Sequence, residues 1–190
     1  MVSIWLASLH LCGRKQSTRH ATSLQVVLDF EWTADNRRPV KPISEITQFP
    51  SVLVRLEGHK TLVVDEFNTY VRPTLNKVLP EFSTQLTGIT QEMVDRSPTL
   101  QEALPQYMSW LKSHRLVGEA GERIGSWAFC TWSDADIAAQ LVREFHFKKI
   151  EIPSCFDQCH GCMLATQVTS FDRLFCPPKW CVVLSFVCFL

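Results

Sequence analysis

The chain predicts a mixed α/β fold, with strands leading and helices alternating with strand behind them. Three observations carry this. Apolar β-type runs at 24–31, 46–56 and 61–71 are separated by turn-forming residues, the pattern of an antiparallel meander. Leu100, Leu104, Met108 and Leu111 then follow the 3–4 spacing of a buried helical stripe. A further strand-like run, Ile124 to Thr131, precedes a helical stretch from Ser133 to Phe145. That order implies a mixed sheet with helices packed on it.

Each element has a local reason. The first strand runs from Leu24 to Glu31. Asp35-Asn-Arg-Arg-Pro-Val-Lys-Pro42 follows as a polar loop with two prolines. Ile46 to Leu56 is the second strand, in which Pro50 predicts a bulge or a sheet edge. Glu57-Gly-His-Lys60 turns the chain into a third strand, Thr61 to Val71. Arg72-Pro73 opens a loop. Pro80 to Leu86 predicts a short helix that Gly88 ends. Ser97-Pro98-Thr99 starts the long helix to His114, with Glu102 as capping partner three residues after Thr99. Arg115 to Arg123 is polar and contains glycine.

With 190 residues the chain can bury one core. Hydrophobic residues at 46% and charged residues at 20% are ordinary for a globular domain, which excludes a disordered or collagen-like class. Net charge is zero, so any nucleic-acid partner would need a local basic patch. Of eight cysteines, six fall between Cys155 and Cys188, unlike the even spread of an oxidised extracellular scaffold. A reduced intracellular compartment, cytoplasmic or nuclear, is the expectation. The first 28 residues contain no acid and carry Arg14, Lys15 and Arg19. They read either as a mitochondrial transit segment or as an incidental extension. No stretch reaches the roughly 20 apolar residues of a membrane span.

Asp29 and Glu31 stand one residue apart at the end of the first strand. Side chains on a strand alternate, so both acids occupy one face. Two carboxylates so placed can hold a divalent cation, which prefers oxygen ligands, or can be solvated acids at a strand end.

Asp29-Phe-Glu31, Glu45-Ile-Thr-Gln-Phe-Pro50-Ser-Val-Leu, Tyr70-Val-Arg-Pro73, Leu86-Thr-Gly-Ile-Thr-Gln91 with Val94-Asp95, and Thr131-Trp-Ser-Asp-Ala-Asp136 come in that order. Together they resemble the ERI-type three-prime exoribonucleases, of the DEDDh group in the RNase H-like superfamily. The similarity runs from about Leu24 to about Gln158. It implies an RNase H-like mixed sheet with flanking helices, and removal of nucleotides from the three-prime ends of single-stranded RNA. It also implies two divalent cations, Mg²⁺ or Mn²⁺, about 4 Å apart. Asp29, Glu31 and Asp136 match the family's metal-ligating, catalytic acids. Asp134 is a nearby alternative to Asp136, or else a helix N-cap. Leu86, Thr87, Gly88 and Ile89 match the segment that contacts the terminal nucleotide. Read without the family, they are a helix C-cap followed by a core isoleucine. The chain departs from the pattern at Trp32, where the family has a small residue, and at Ser133 and Ala135.

The family also needs a histidine general base with an acid five residues later. None of the six histidines has aspartate in that place; His114 has Glu119 there, but ahead of the second motif. No general base is assigned, and the two-ion site is expected to be incomplete. Residues 159–190 hold only Asp172, Arg173 and Lys179 as charged side chains. This divides the chain into an extension (1–23), a partial exonuclease-like domain (24–158) and a cysteine-rich apolar tail (159–190). The C-terminal part of the fold is thus expected to be incomplete, leaving an apolar sheet face uncovered. Cys155, Cys159, His160 and Cys162 are either zinc ligands, with Cys176 and Cys181 as a second pair, or incidental thiols. Two functions stay open: a three-prime exonuclease, impaired or with an unrecognised third motif, or a nonenzymatic nucleic-acid binder or inert truncated isoform.

Overall fold

The structure, a computed structural model, describes residues 23–57, 60–131 and 135–156. Strand β1 (Ser23–Leu28) lies between β3 (Ile46–Glu57), antiparallel, and β5 (Trp127–Cys130), parallel. β4 (Lys60–Tyr70) pairs antiparallel with β3 on its other side, and the two-residue β2 (Glu31–Trp32) also pairs with β3. The result is the expected mixed sheet with a leading meander. β3 is therefore an interior strand, so Pro50 marks no edge. The register irregularities fall at Leu53/Val54 and at Glu31/Trp32 instead.

The expected strand 24–31 is interrupted. β1 stops at Leu28 with Leu28 opposite Ser51, and β2 resumes at Glu31 opposite Gln48. The same register would set Asp29 opposite Pro50, which has no N–H to give to a ladder. Burial nevertheless alternates across the gap. Val26, Leu28 and Phe30 are in the core, whereas Asp29 and Glu31 are partly exposed.

Three α-helices follow the meander: α1 (Glu81–Thr87), α2 (Gln91–Asp95) and α3 (Leu100–Ser113). Gly88 ends α1 at φ 71°, a left-handed conformation that glycine adopts without a Cβ clash. α2 is too short to show periodicity and was not expected. At the start of α3 the Glu102 carboxylate accepts from the Thr99 N–H at 2.8 Å, the anticipated cap. α3 lays Leu100, Ala103, Leu104, Tyr107 and Leu111 into the core, with Met108 only partly buried. The Phe49 and Tyr107 rings meet at a tilt with centroids 4.3 Å apart, joining α3 to the first half of β3.

Beyond β5 the chain winds as a π-helical segment (Ala135–Leu141) and continues as α4 (Val142–Lys148). The expected helix 133–145 thus ends later, at Lys148, and is π-wound over Ala135–Leu141. The strand expected over 124–131 is only four residues long. Cys155 and Phe156 are buried, and Phe156 stacks on Phe129 at 5.0 Å. Asp134, Ser133, the cysteines after Cys155 and the apolar tail lie outside the described residues. So do the N-terminal extension and the centre of the turn at Gly58-His59. No helix of the described residues is long and apolar enough to cross a membrane.

Candidate active site

The lapse between β1 and β2 is where the candidate acids gather. Phe30, turned into the core, directs its backbone N–H to Asp136 Oδ1 at 2.9 Å. That bond spans 106 residues and fastens the π-helical segment to the interrupted strand. Asp136 is 3% exposed. Burial raises its carboxyl to about 6, against the pull of the Phe30 N–H and of its own. Asp29 is raised to about 7, first by burial, then by the charge of Asp136, then by that of Glu31. Glu31 is also raised, by burial and by Asp136. No basic side chain figures among the causes of these three shifts.

The donor set suits a hard divalent cation: carboxylate oxygens, partly desolvated, with uncompensated negative charge. Among the described residues no three acidic, histidine or cysteine groups stand close enough to form a finished cage. Asp29, Glu31 and Asp136 thus share an electrostatic field without a preformed coordination sphere.

Helix α1 is tied to the same strand. Ser83 Oγ accepts from the Ala34 N–H at 2.6 Å and donates to the Ala34 carbonyl at 2.7 Å. One turn on, Thr87 Oγ1 donates to the Ser83 carbonyl at 2.8 Å and accepts from the Ile89 N–H at 3.1 Å. The segment 86–89 is split by environment. Leu86 is 63% exposed, whereas Ile89 is 3% exposed and packs with Leu79 and Val94. Leu86 is the apolar group presented outward, and Ile89 is core. Trp32 packs partly buried against the main core.

His114 does not pair with Glu119. Its Nε2 lies 2.7 Å from Asp65 Oδ2, and the Glu119 carboxylate pairs with Lys112 at 3.1 Å.

A second acidic group was not foreseen. Glu45 is fully buried, and its carboxylate accepts from the N–H groups of Thr74, Leu75 and Asn76 at 2.6–3.1 Å. Glu144, also fully buried, accepts from the Ile46 N–H at 2.7 Å. Lys148 Nζ bridges them, 2.8 Å from Glu45 and 2.7 Å from Glu144. Gln140 donates to the Ser44 carbonyl at 2.8 Å. These bonds bolt the helix that follows Asp136 to the start of β3. Glu144 and Lys148 stand at i and i+4, a spacing visible in the sequence, but the expected helix ended at Phe145.

An exonuclease family model, RNase T, matches residues 26–158. The chain belongs to the RNase T exonuclease family. The zebrafish (Danio rerio) protein ERI1 exoribonuclease 2 is 34% identical over 149 residues, covering 74% of this chain and 26% of that protein. The rat (Rattus norvegicus) 3'-5' exoribonuclease 1 is 41% identical over 90 residues, 47% of this chain and 26% of its own length. The chain therefore spans about a quarter of these curated relatives. Among solved structures, the nuclease domain of 3'hExo, a DEDDh family member bound to rAMP, is similar with TM-score 0.59 and 30% identity. The match covers 68% of this chain and 62% of that one. Cell-death related nuclease 4 (CRN-4) matches with TM-score 0.60 and 28% identity over 72% of this chain and 44% of its own. Within the RNase T exonuclease family this is an ERI-type chain with the RNase H-like fold of the DEDDh group.

Proposed function

We propose that this chain engages RNA three-prime ends as a metal-dependent 3'-5' exonuclease whose turnover is impaired. The observation that carries the reading is the gathering of Asp29, Glu31 and Asp136 at the lapse between β1 and β2, with no basic side chain among the causes of their raised carboxyls. Asp29, Glu31 and Asp136 would hold Mg²⁺ or Mn²⁺. The bound ions would supply charge neutralisation at a phosphodiester and lower the pKa of a water. The chain's own residues do the rest. The Phe30 N–H holds the Asp136 carboxylate in place. The Ser83–Ala34 clasp sets α1, with Leu86 outward, against the strand that carries Glu31. Leu86 offers an apolar surface to a terminal base, and Gly88 admits close backbone approach. A similar 3'-exonuclease of known structure shows 3'-end specific recognition of a histone mRNA stem-loop, which supports RNA as the polymer class.

The impaired turnover in this proposal is inferred from the third motif: no histidine is followed by aspartate at the fifth position, His114 and His146 having Glu119 and Glu151 there, and absence of a general base costs about 10²–10⁴ in rate. The test is single-stranded RNA labelled at its five-prime end, incubated with the full chain in magnesium or manganese. Expected is slow shortening at most, with binding retained. Robust processive degradation that Asp29→Asn abolishes would show an unimpaired enzyme. Absence of both binding and shortening would sink the reading.

A further inference from the structure

Loop 34–44 leaves β2 three residues after Glu31 and is closed by a rigid stem. Thr33 donates its N–H to the Glu45 carbonyl at 2.8 Å, and Thr33 Oγ1 accepts from the Glu45 N–H at 2.9 Å. Ser83 holds Ala34 at one end, and Asn76 Nδ2 holds the Ile43 carbonyl at the other, at 2.8 Å. Between these fixed ends Arg37, Arg38 and Lys41 are all exposed. Among the described residues, no carboxylate makes an ion pair with any of the three. The loop's one acid, Asp35, turns its carboxylate to the Arg37 backbone N–H at 2.8 Å.

A chain of zero net charge has thus set three cations, in no ion pair among the described residues, on a fastened loop that follows directly on the strand carrying Glu31. The site's carboxylates repel a polyanion; the cations attract one. Arg37 lies six positions after Glu31, so their Cα atoms are at most about 22 Å apart. That is within reach of a strand whose last nucleotide sits at the acids.

We propose that Arg37, Arg38 and Lys41 bind phosphates of the RNA strand upstream of its three-prime terminal nucleotide. The inference rests on the exonuclease reading above and gives it a second contact surface. Guanidinium groups take phosphate oxygens in bidentate fashion, and lysine acts as a point charge. The contact is to backbone and carries no sequence preference. It favours longer strands over mononucleotides.

The experiment measures anisotropy of a single-stranded RNA of about 15 nucleotides with the full chain in calcium, across a salt series. The triple variant R37A/R38A/K41A should bind on the order of ten- to hundredfold more weakly at 0.1 M salt. Its log–log salt slope should fall by about 2, since each single-strand phosphate contact contributes about 0.7. Its thermal midpoint and its affinity for AMP should not change. R37K/R38K should retain most of the salt slope. Retained RNA affinity and slope in the triple variant would overturn the loop assignment and leave the exonuclease reading standing. No RNA binding by the unaltered chain would overturn both. Competition by poly-glutamate as strong as by RNA would overturn the nucleic-acid assignment in favour of an acidic protein partner.

Discussion

Two groups of carboxylates, one fully buried and one only partly, flank one helical run, and the fold partners them differently. Glu45 and Glu144 share Lys148, and between them accept from four backbone N–H groups, those of Thr74, Leu75, Asn76 and Ile46. Burial alone would raise both; Lys148 and the N–H groups bring Glu45 below its ordinary value, while burial keeps Glu144 raised against the pull of Lys148 and the Ile46 N–H. In the other group, the Phe30 N–H and Asp136's own N–H both serve Asp136, and all three acids are raised. The first group is complete and serves architecture. The second keeps raised carboxyls with no cation among the causes of their shifts, which supports the metal-site proposal.

The largest test of this contrast removes the shared cation. Lys148→Met leaves Glu45 and Glu144 buried without their charge partner, and breaking such a pair costs about 3–5 kcal/mol. Urea unfolding should show that loss, and a loss under about 1 kcal/mol would mean the two groups differ little.

Asp29 provides the next test. Its carboxyl is raised from 3.8 to about 7, so the fold favours the protonated form. Its contribution to stability is complete below about pH 4 and lost as pH rises through about 7. Asp29→Asn should therefore stabilise the metal-free chain at pH 8, by on the order of 1–2 kcal/mol, and do little at pH 4. Magnesium at pH 8 should raise the melting midpoint of the unaltered chain more than that of the variant. An unaltered chain that is most stable at pH 8 without metal would contradict the assignment.

Helix α1 lies outside both groups and calibrates them. At Gly88 a Cβ would meet open space, so Gly88→Ala is charged only for the left-handed backbone at φ 71°. About 1–2 kcal/mol of lost stability is expected, with little effect on metal dependence. Leu86→Ala should be the smallest in stability, within about 0.5 kcal/mol because the side chain is exposed. It should weaken RNA binding all the same, and unchanged binding would remove Leu86 from the nucleotide contact.

The two groups also differ in how legible they were. Asp29 and Glu31 are neighbours in sequence and could be paired from the chain alone, whereas Asp136 was reached through the family resemblance, with Asp134 as a rival. Helix α3 was legible for the same reason: its stripe and its Thr99–Glu102 cap are local. The Glu45–Lys148 pair joins positions a hundred residues apart, and no local rule connects them. The lapse at Asp29 depends on Pro50 in another strand, and its effect needs the register. The π winding of Ala135–Leu141 also had no mark in the hydrophobic pattern, since its apolar positions suit an α-helix as well.

The bond from the Phe30 N–H to Asp136 makes this one amide proton a built-in indicator. Its nuclear magnetic resonance frequency follows the ionisation of a carboxyl that titrates near pH 6. The same resonance would move again when a cation draws the carboxylate's electron density away. A backbone amide that faces the acid, though its own side chain lies in the core, can thus report whether the proposed cation binds there, without any substitution among the acids.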